Sequence, residues 1–240
     1  MKVSKVSLLK FIDLLRIKGD LECKTILVKT SEGKIEVPIA VPESNVIIIR
    51  GSLTGTDIKD IGELGIDDLK LLRGFISTFN SNNILMDKKT NKLELSSDTE
   101  KLKISAILRD PKYIMSLREG KTFDMVKEGI SDNIFTLDRE QIKQIINYSN
   151  SMSSKVVYLE GKDNTITLKL NLSDNKLSTS FDIQETISPF KVKVSEYLIH
   201  LLSTIGDNVT MSAKEDCPVY VSTEGDDYVF EYILATLKME

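Results

Sequence analysis

The 240-residue chain carries 32 Lys and Arg against 36 Asp and Glu, a formal charge of −4, with 41% apolar residues, 12 Gly and 5 Pro. That balance excludes disordered and fibrous classes, and it excludes a uniformly basic nucleic-acid binder while leaving room for one basic face. The length suits two domains of about 120 residues, each able to bury its own core.

The first element is a helix. Ser4 or Ser7 supplies an N-cap, and Leu8, Leu9, Phe11, Ile12 and Leu15 recur at helical spacing, with Lys10 and Asp13 opposite and Gly19 as the stop. Strands are predicted at Thr25–Thr30, Lys34–Val41 and Asn45–Leu53, the first two joined by a Ser31-Glu32-Gly33 turn. The pattern then restarts. Asp67 is the expected cap of a helix through about Thr78, built on Leu69, Leu72, Phe75 and Ile76, and strands follow at Ile84–Met86, Lys92–Ser96 and Lys101–Leu108. A third helix opens at Asp138 and runs through about Asn150 on Ile142, Ile145 and Ile146. Its strands are Lys155–Glu160, Thr165–Leu172 and Lys176–Ile183, with turns at Asp163-Asn164 and Asp174-Asn175. A fourth helix, with Ser195 as its expected cap, uses Leu198, Leu201, Leu202 and Ile205, ahead of strands at Asn208–Ala213, Val219–Thr223 and Tyr228–Leu237.

One unit, a short capped helix and about three strands, is therefore written four times. The caps step by 60, 71 and 57 residues. The surplus of the middle step falls in the charged, poorly periodic stretch Asp110 to Asn133, where a linker belongs. This predicts an α+β fold with domains at 1–110 and 134–240 joined by a linker at 111–133.

Cys23 and Cys217 form no CxxC pair, so they read as small buried hydrophobes in a reducing compartment rather than as a disulfide or zinc site. Lys10, Asp13 and Arg16 interrupt the apolar stretch of the opening, which is not read as a secretion signal. No run approaches the roughly 18 apolar residues of a membrane span. A cytoplasmic location without membrane contact is the expectation.

At 100° per residue, the outer faces of three helices lean basic. Lys5, Lys10 and Arg16 mark the first, Lys70, Arg73 and Ser77 the second, and Arg139 and Lys143 the third; the fourth presents Glu196, His200, Ser203 and Thr204. Such faces are either ordinary solvated surface or a track for duplex phosphates. No aromatic side chains interleave with the cations, so base stacking is not expected. Chemistry has little to stand on. His200 is the sole histidine, no phosphate-cradling glycine motif occurs, and Asp67-Asp68 and Asp226-Asp227 fit capping and turns. No catalytic residue, metal or cofactor is assigned.

Three stretches carry a resemblance. MKVSKVSLLKFIDLL is similar to the opening of the T-even phage clamp, and Ile66 to Ile114 resembles that clamp's second helix, hairpin and last strand. VTMSAKEDCPVYVSTEGDDYVFEYILATLK resembles the end of the proliferating-cell nuclear antigen family through Met211, Ser212, Asp216, Pro218, Val219, Val221, Tyr232, Ile233, Leu234, Ala235 and Lys238; Thr236 stands where that family has Pro. The resemblance implies a DNA-clamp fold of two similar domains, each with two short helices and antiparallel sheets, closed head to tail into a homotrimeric ring around double-stranded DNA. It implies a processivity factor that tethers a DNA polymerase and is opened by an ATP-dependent clamp loader, from a phage, viral or cellular source. Lys5, Lys10, Arg16, Lys70, Arg73, Arg139, Lys143 and His200 would then face DNA without sequence preference. The subunit interface would pair Lys103, Ile104, Ser105, Ala106, Ile107 and Leu108 with Ser178, Thr179, Ser180, Phe181, Asp182 and Ile183 of the next copy. A partner-peptide pocket would use Val41, Val46, Val126, Pro218, Ile233, Leu234 and Ala235, with Phe123 and Met125 in its lid. Three other readings stay open: an accessory ring recruiting transcription, repair or checkpoint partners, an α+β enzyme using His200, and a structural β-rich assembly protein.

Overall fold

The computed structural model describes residues 1–17, 21–114, 121–130, 133–150, 155–172 and 175–238; Gly19 and Asp174 lie outside them. Two compact units emerge, one of Met1–Asn45, Ile49–Gly120 and Glu224–Phe230, the other of Val46–Ile48, Lys121–Thr223 and Glu231–Glu240.

The first unit holds β1 (Lys2–Ser4), α1 (Lys5–Leu15), β2 (Ile26–Ser31), β3 (Lys34–Ala40), β4 (Ile47–Thr54), β5 (Glu63–Ile66), α2 (Leu69–Thr78), β6 (Asn83–Lys89), β7 (Lys92–Ser96) and β8 (Lys103–Ile107). One sheet runs β5-β2-β3-β4 and the other β1-β6-β7-β8, with antiparallel neighbours. Of the two candidate caps of α1, Ser4 serves, its hydroxyl accepting from the Ser7 N–H at 3.4 Å. Asp68, not Asp67, caps α2, accepting from the Leu71 N–H at 2.7 Å. The backbone of residue 68 is still extended, so its carboxylate is the one that reaches the third helical N–H. Asp67 instead accepts from Thr25 at 2.9 Å and from the Arg109 guanidinium at 2.7 Å, and these two bonds hold its carboxyl below the usual range. The α1 and α2 faces carrying Phe11, Ile12, Leu15, Leu72 and Ile76 are buried, while Leu9 and Phe75 sit at the margin.

The second unit holds α3 (Lys121–Gly129), β9 (Ile134–Leu137), α4 (Arg139–Asn150), β10 (Val156–Leu172), β11 (Asn175–Ser195), α5 (Tyr197–Ile205), β12 (Val209–Ser212), most of β13 (Val219–Glu224), the end of β14 (Tyr228–Leu234) from Glu231 on, and β15 (Thr236–Leu237); the start of β14, through Phe230, belongs to the first unit. Helix α3 and a 3-10 turn at Pro111–Tyr113 occupy much of the stretch read as an irregular linker. Asp138 caps α4 as expected. It accepts from the Gln141 N–H, and the Gln141 side chain accepts from the Asp138 N–H, both at 2.8 Å, a reciprocal capping box. Ser195 does not cap α5. It closes β11 opposite Val156, and Glu196 takes the cap position without a side-chain bond. Gly206, at φ 64°, ends α5 in the left-handed region that favours glycine. The strands expected at 155–160 and 165–172 run on as β10, with register shifts between Gly161 and Thr165 and a left-handed Asp163.

Three short strands escaped the sequence reading, and they reveal the construction. Each of α1, α2, α4 and α5 is preceded by a strand that pairs with the strand following its counterpart, α1 with α2 and α4 with α5. β1 pairs β6 and β5 pairs β2; β9 pairs β12, and the Phe190–Ser195 end of β11 pairs the Val156–Gly161 start of β10. The repeating element is thus strand, helix, strands, interlocked two at a time.

Packing in the first unit turns on Phe230. Its ring is wholly buried, lies 5.2 Å from the Phe11 ring centre, and covers Gly51 of β4 so closely that a Cβ there would come within 2.3 Å of it. Gly51→Ala must displace that ring. We expect a loss of about 1–3 kcal/mol from overpacking, read as a lower urea midpoint at unchanged m-value.

Candidate nucleic-acid interface and partner surface

The helical cations are less free than their spacing implies. On α1, the Lys5 ammonium donates to the carbonyls of Ser77 and Phe79, satisfying the open C-terminal end of α2. Lys10 lies 5.9 Å above the Tyr228 ring. Arg16 pairs Glu22 at 2.6 Å with both side chains largely sheltered. On α2, Arg73 grips Asp13 of α1 with two bonds, 2.5 and 3.0 Å long. Such a planar two-pronged pair is among the stronger side-chain contacts, and here it ties α1 to α2. Lys70 is exposed with no ion-pair partner among the described residues. On α4, Lys143 pairs Glu140 three residues back at 2.6 Å. The Arg139 side chain is exposed, and its backbone N–H donates to Asn208 at 2.9 Å. His200 of α5 is half-buried beside Tyr197, with ring centres 6.2 Å apart. Lys70 and Arg139 are therefore the least compensated of the eight positions. The acid beside Lys143 was readable from its spacing; Asp13 and Arg73 lie 60 residues apart and meet only through the fold.

Strand β8 is the outer strand of its sheet and, among the described residues, pairs with β7 alone. Its side chains alternate, and Ile107 is 77% exposed. Beside it, α2 presents Leu71, 51% exposed, across a groove of about 240 Å³ also lined by Phe75, Leu93, Ala106 and Leu108. In the second unit, residues Ser178–Asp182 pair on one side with Thr165–Lys169 of β10, and no ladder partner is described on the other. Both segments named as an interface thus keep an unpaired side among the described residues.

The pocket positions fare unevenly. Ala235 is exposed, and its N–H donates to the Val46 carbonyl at 2.9 Å. Val41, Val46 and Pro218 are half-buried. Leu234 is fully buried. Ile233 is covered: it packs with Phe123, Ile130 and Tyr220, flanked by Ile48, Val126 and Cys217. Phe123, expected in a lid, is wholly buried within this cluster, whereas Met125 is 70% exposed. The sequence reading missed Ile48, Ile130, Tyr220 and Glu231. The Lys127 ammonium meets the Glu231 carboxylate at 2.6 Å, and the Tyr220 hydroxyl donates to the same oxygen at 2.8 Å. That bond raises the Lys127 pKa, and burial raises that of Tyr220. No helix among the described residues is long and apolar enough to cross a membrane, and no cluster of three or more His, Cys, Asp or Glu there could hold a metal.

No protein-family profile and no curated protein matches the chain. Solved structures do. Proliferating cellular nuclear antigen (PCNA) from Entamoeba histolytica superposes with a TM-score of 0.77 at 16% identity, over 99% of this chain and 98% of that one. A. fulgidus PCNA, solved with the C-terminal region of FEN-1 bound, superposes with a TM-score of 0.78 at 13% identity, over 100% and 98%. Agreement over nearly the full length of both chains leaves one conclusion about architecture: this chain has the PCNA-like sliding-clamp fold.

Proposed function

We propose that the chain is a sliding clamp: three copies close head to tail around duplex DNA and tether a DNA polymerase as its processivity factor. The observation that carries this reading is the full-length match to PCNA, 98% of each neighbour being covered. The two compact units serve as its clamp domains. Its action is topological, since a closed ring leaves DNA only by opening. Weak, sequence-blind phosphate contacts then suffice, and they permit sliding. Scarce free cations on the helices agree with such weak contact. The chain serves as a scaffold rather than an enzyme, with an ATP-dependent loader to open it.

Ring closure is assigned to β8 against Ser178–Ile183 of the next copy, with Leu71 and Ile107 buried in the contact. Adding a strand to a free edge supplies main-chain hydrogen bonds, and the apolar groove beside it supplies area. Light scattering should give a molar mass of three times the 27.0 kDa chain. Leu71→Asp with Ile107→Asp should give the single-chain mass, and a trimer persisting in that variant would remove this assignment.

DNA contact is assigned to the basic helix faces, led by Lys70 and Arg139. Lys70→Ala should weaken retention on every duplex sequence and reduce the slope of log affinity against log salt by about 1. Asp13→Asn should do the reverse, because it releases the Arg73 guanidinium.

The function as a whole is tested on nicked circular DNA. Protein loaded there should remain until the circle is cut and then run off the ends. Retention on linear DNA would overturn the sliding reading. A ring that slides yet leaves polymerase product length unchanged would be an accessory ring for other partners.

The partner-peptide site is placed in the second unit, around Val46, Ile233 and Ala235. The A. fulgidus neighbour was solved with a segment of FEN-1 bound, which supports peptide docking as the mode of recruitment.

A further inference from the structure

Helix α3 has the form of a bound ligand. Phe123, Val126 and Ile130 fall at i, i+3 and i+7, the spacing with which an amphipathic helix seats itself in an apolar groove. Phe123 and Ile130 are buried, while Asp124, Met125 and Glu128 between them are exposed. The surface beneath is made by other parts of the same unit: Ile48 of β4, Cys217, Tyr220 of β13 and Ile233 of β14. A polar latch accompanies the three anchors. Lys127 pairs Glu231 at 2.6 Å and lies 5.3 Å above the Tyr220 ring, whose hydroxyl holds the same carboxylate. The anchor at the C-terminal end is fixed again, the Ser212 hydroxyl donating to the Ile130 carbonyl.

A nine-residue helix is too short to persist by itself in water, and a helix that ends in glycine is weaker still. It therefore exists through docking. Releasing it would uncover an apolar groove at the Phe123 position with the half-buried Glu231 carboxylate at its rim.

We propose that α3 is a displaceable internal occupant of the partner-docking surface, and that a partner binds by exchanging with it. The partner's chemistry follows from the resident: a short peptide with an aromatic anchor, an aliphatic residue three positions on, and a Lys or Arg beside it for Glu231. This rests on the reading that the second unit docks partner peptides; it adds that the site is occupied at rest. A tethered occupant acts at an effective concentration that a free peptide must overcome, so free peptide should bind the intact chain poorly and an emptied chain well.

The probe is a fluorescein-labelled synthetic copy of Lys121–Ile130, titrated by anisotropy against the full chain. Phe123→Ala and, separately, Lys127→Ala should bind it at least tenfold more tightly than the native chain, and a peptide with Phe replaced by Ala should lose that binding. Lys127 has an exposed side chain, so its variant keeps the fold and carries the test should Phe123→Ala unfold. A second readout is native. Cys23 is buried, its thiol pushed up to about 12, whereas Cys217 is half-buried beside α3. Thiol-reagent labelling of Cys217 should accelerate in both variants and slow again with saturating peptide. Equal binding to native and variant chains would mean that the surface docks peptides without competition from α3, which overturns the exchange and leaves the docking reading standing. No binding to any of the three chains would overturn both.

Discussion

The exchange of leading strands is the constraint on which the rest of the structure depends. β1 needs β6, β5 needs β2, β9 needs β12, and the end of β11 needs the start of β10. Three of the four leading strands are only three or four residues long, and such segments have no independent stability. They form because the partner strand belongs to a helix-led element already in place. Neither half of a unit can complete its sheets alone, so each pair of halves is committed to fold together. The same exchange seats α1 against α2, and it is their joint surface, rather than either helix, that the Arg73–Asp13 pair then ties.

That pair changes the meaning of the charge pattern. A basic helix face in a linear sequence counts cations; a folded face counts what their neighbours leave. Arg73, Arg16 and Lys143 each face a carboxylate, and Lys5 is committed to the end of a helix. Exposed pairs of this kind contribute little to stability, but they lower the field that a polyanion would feel. The potential of the α1–α2 face is accordingly milder than its five basic residues suggest.

The edges carry the remaining logic. Among the described residues β8 keeps one unpaired side, with Ile107 and Leu71 exposed beside it. In the second unit the comparable apolar surface over Ile233 and Tyr220 is covered by α3. One surface is left open and the other is filled from within the chain.

Much of this was legible in the chain itself. Long, strongly periodic segments announced four helices with their inward residues. Asp138 with Gln141 is a capping box visible in four letters, and the alternation of β-branched residues located most strands, because these signals are local and repeat with the period of the backbone. The terminal stretch from Met211 to Lys238 pointed to the clamp fold that the superpositions bear out. Short β1, β5 and β9 were invisible, being stabilised by partners distant in sequence. Between Asp67 and Asp68, and between Ser195 and Glu196, the choice of helix start depended on a one-residue difference in backbone geometry. The stretch around Phe123 read as linker because nine residues with a terminal glycine carry too weak a helical signal; the groove of Ile48, Tyr220 and Ile233 makes it a helix. Composition and periodicity thus determined the elements and the class of fold. Tertiary structure alone decided which strands pair, which cations keep a free charge and which apolar surface is covered, because each depends on distances between residues far apart along the chain.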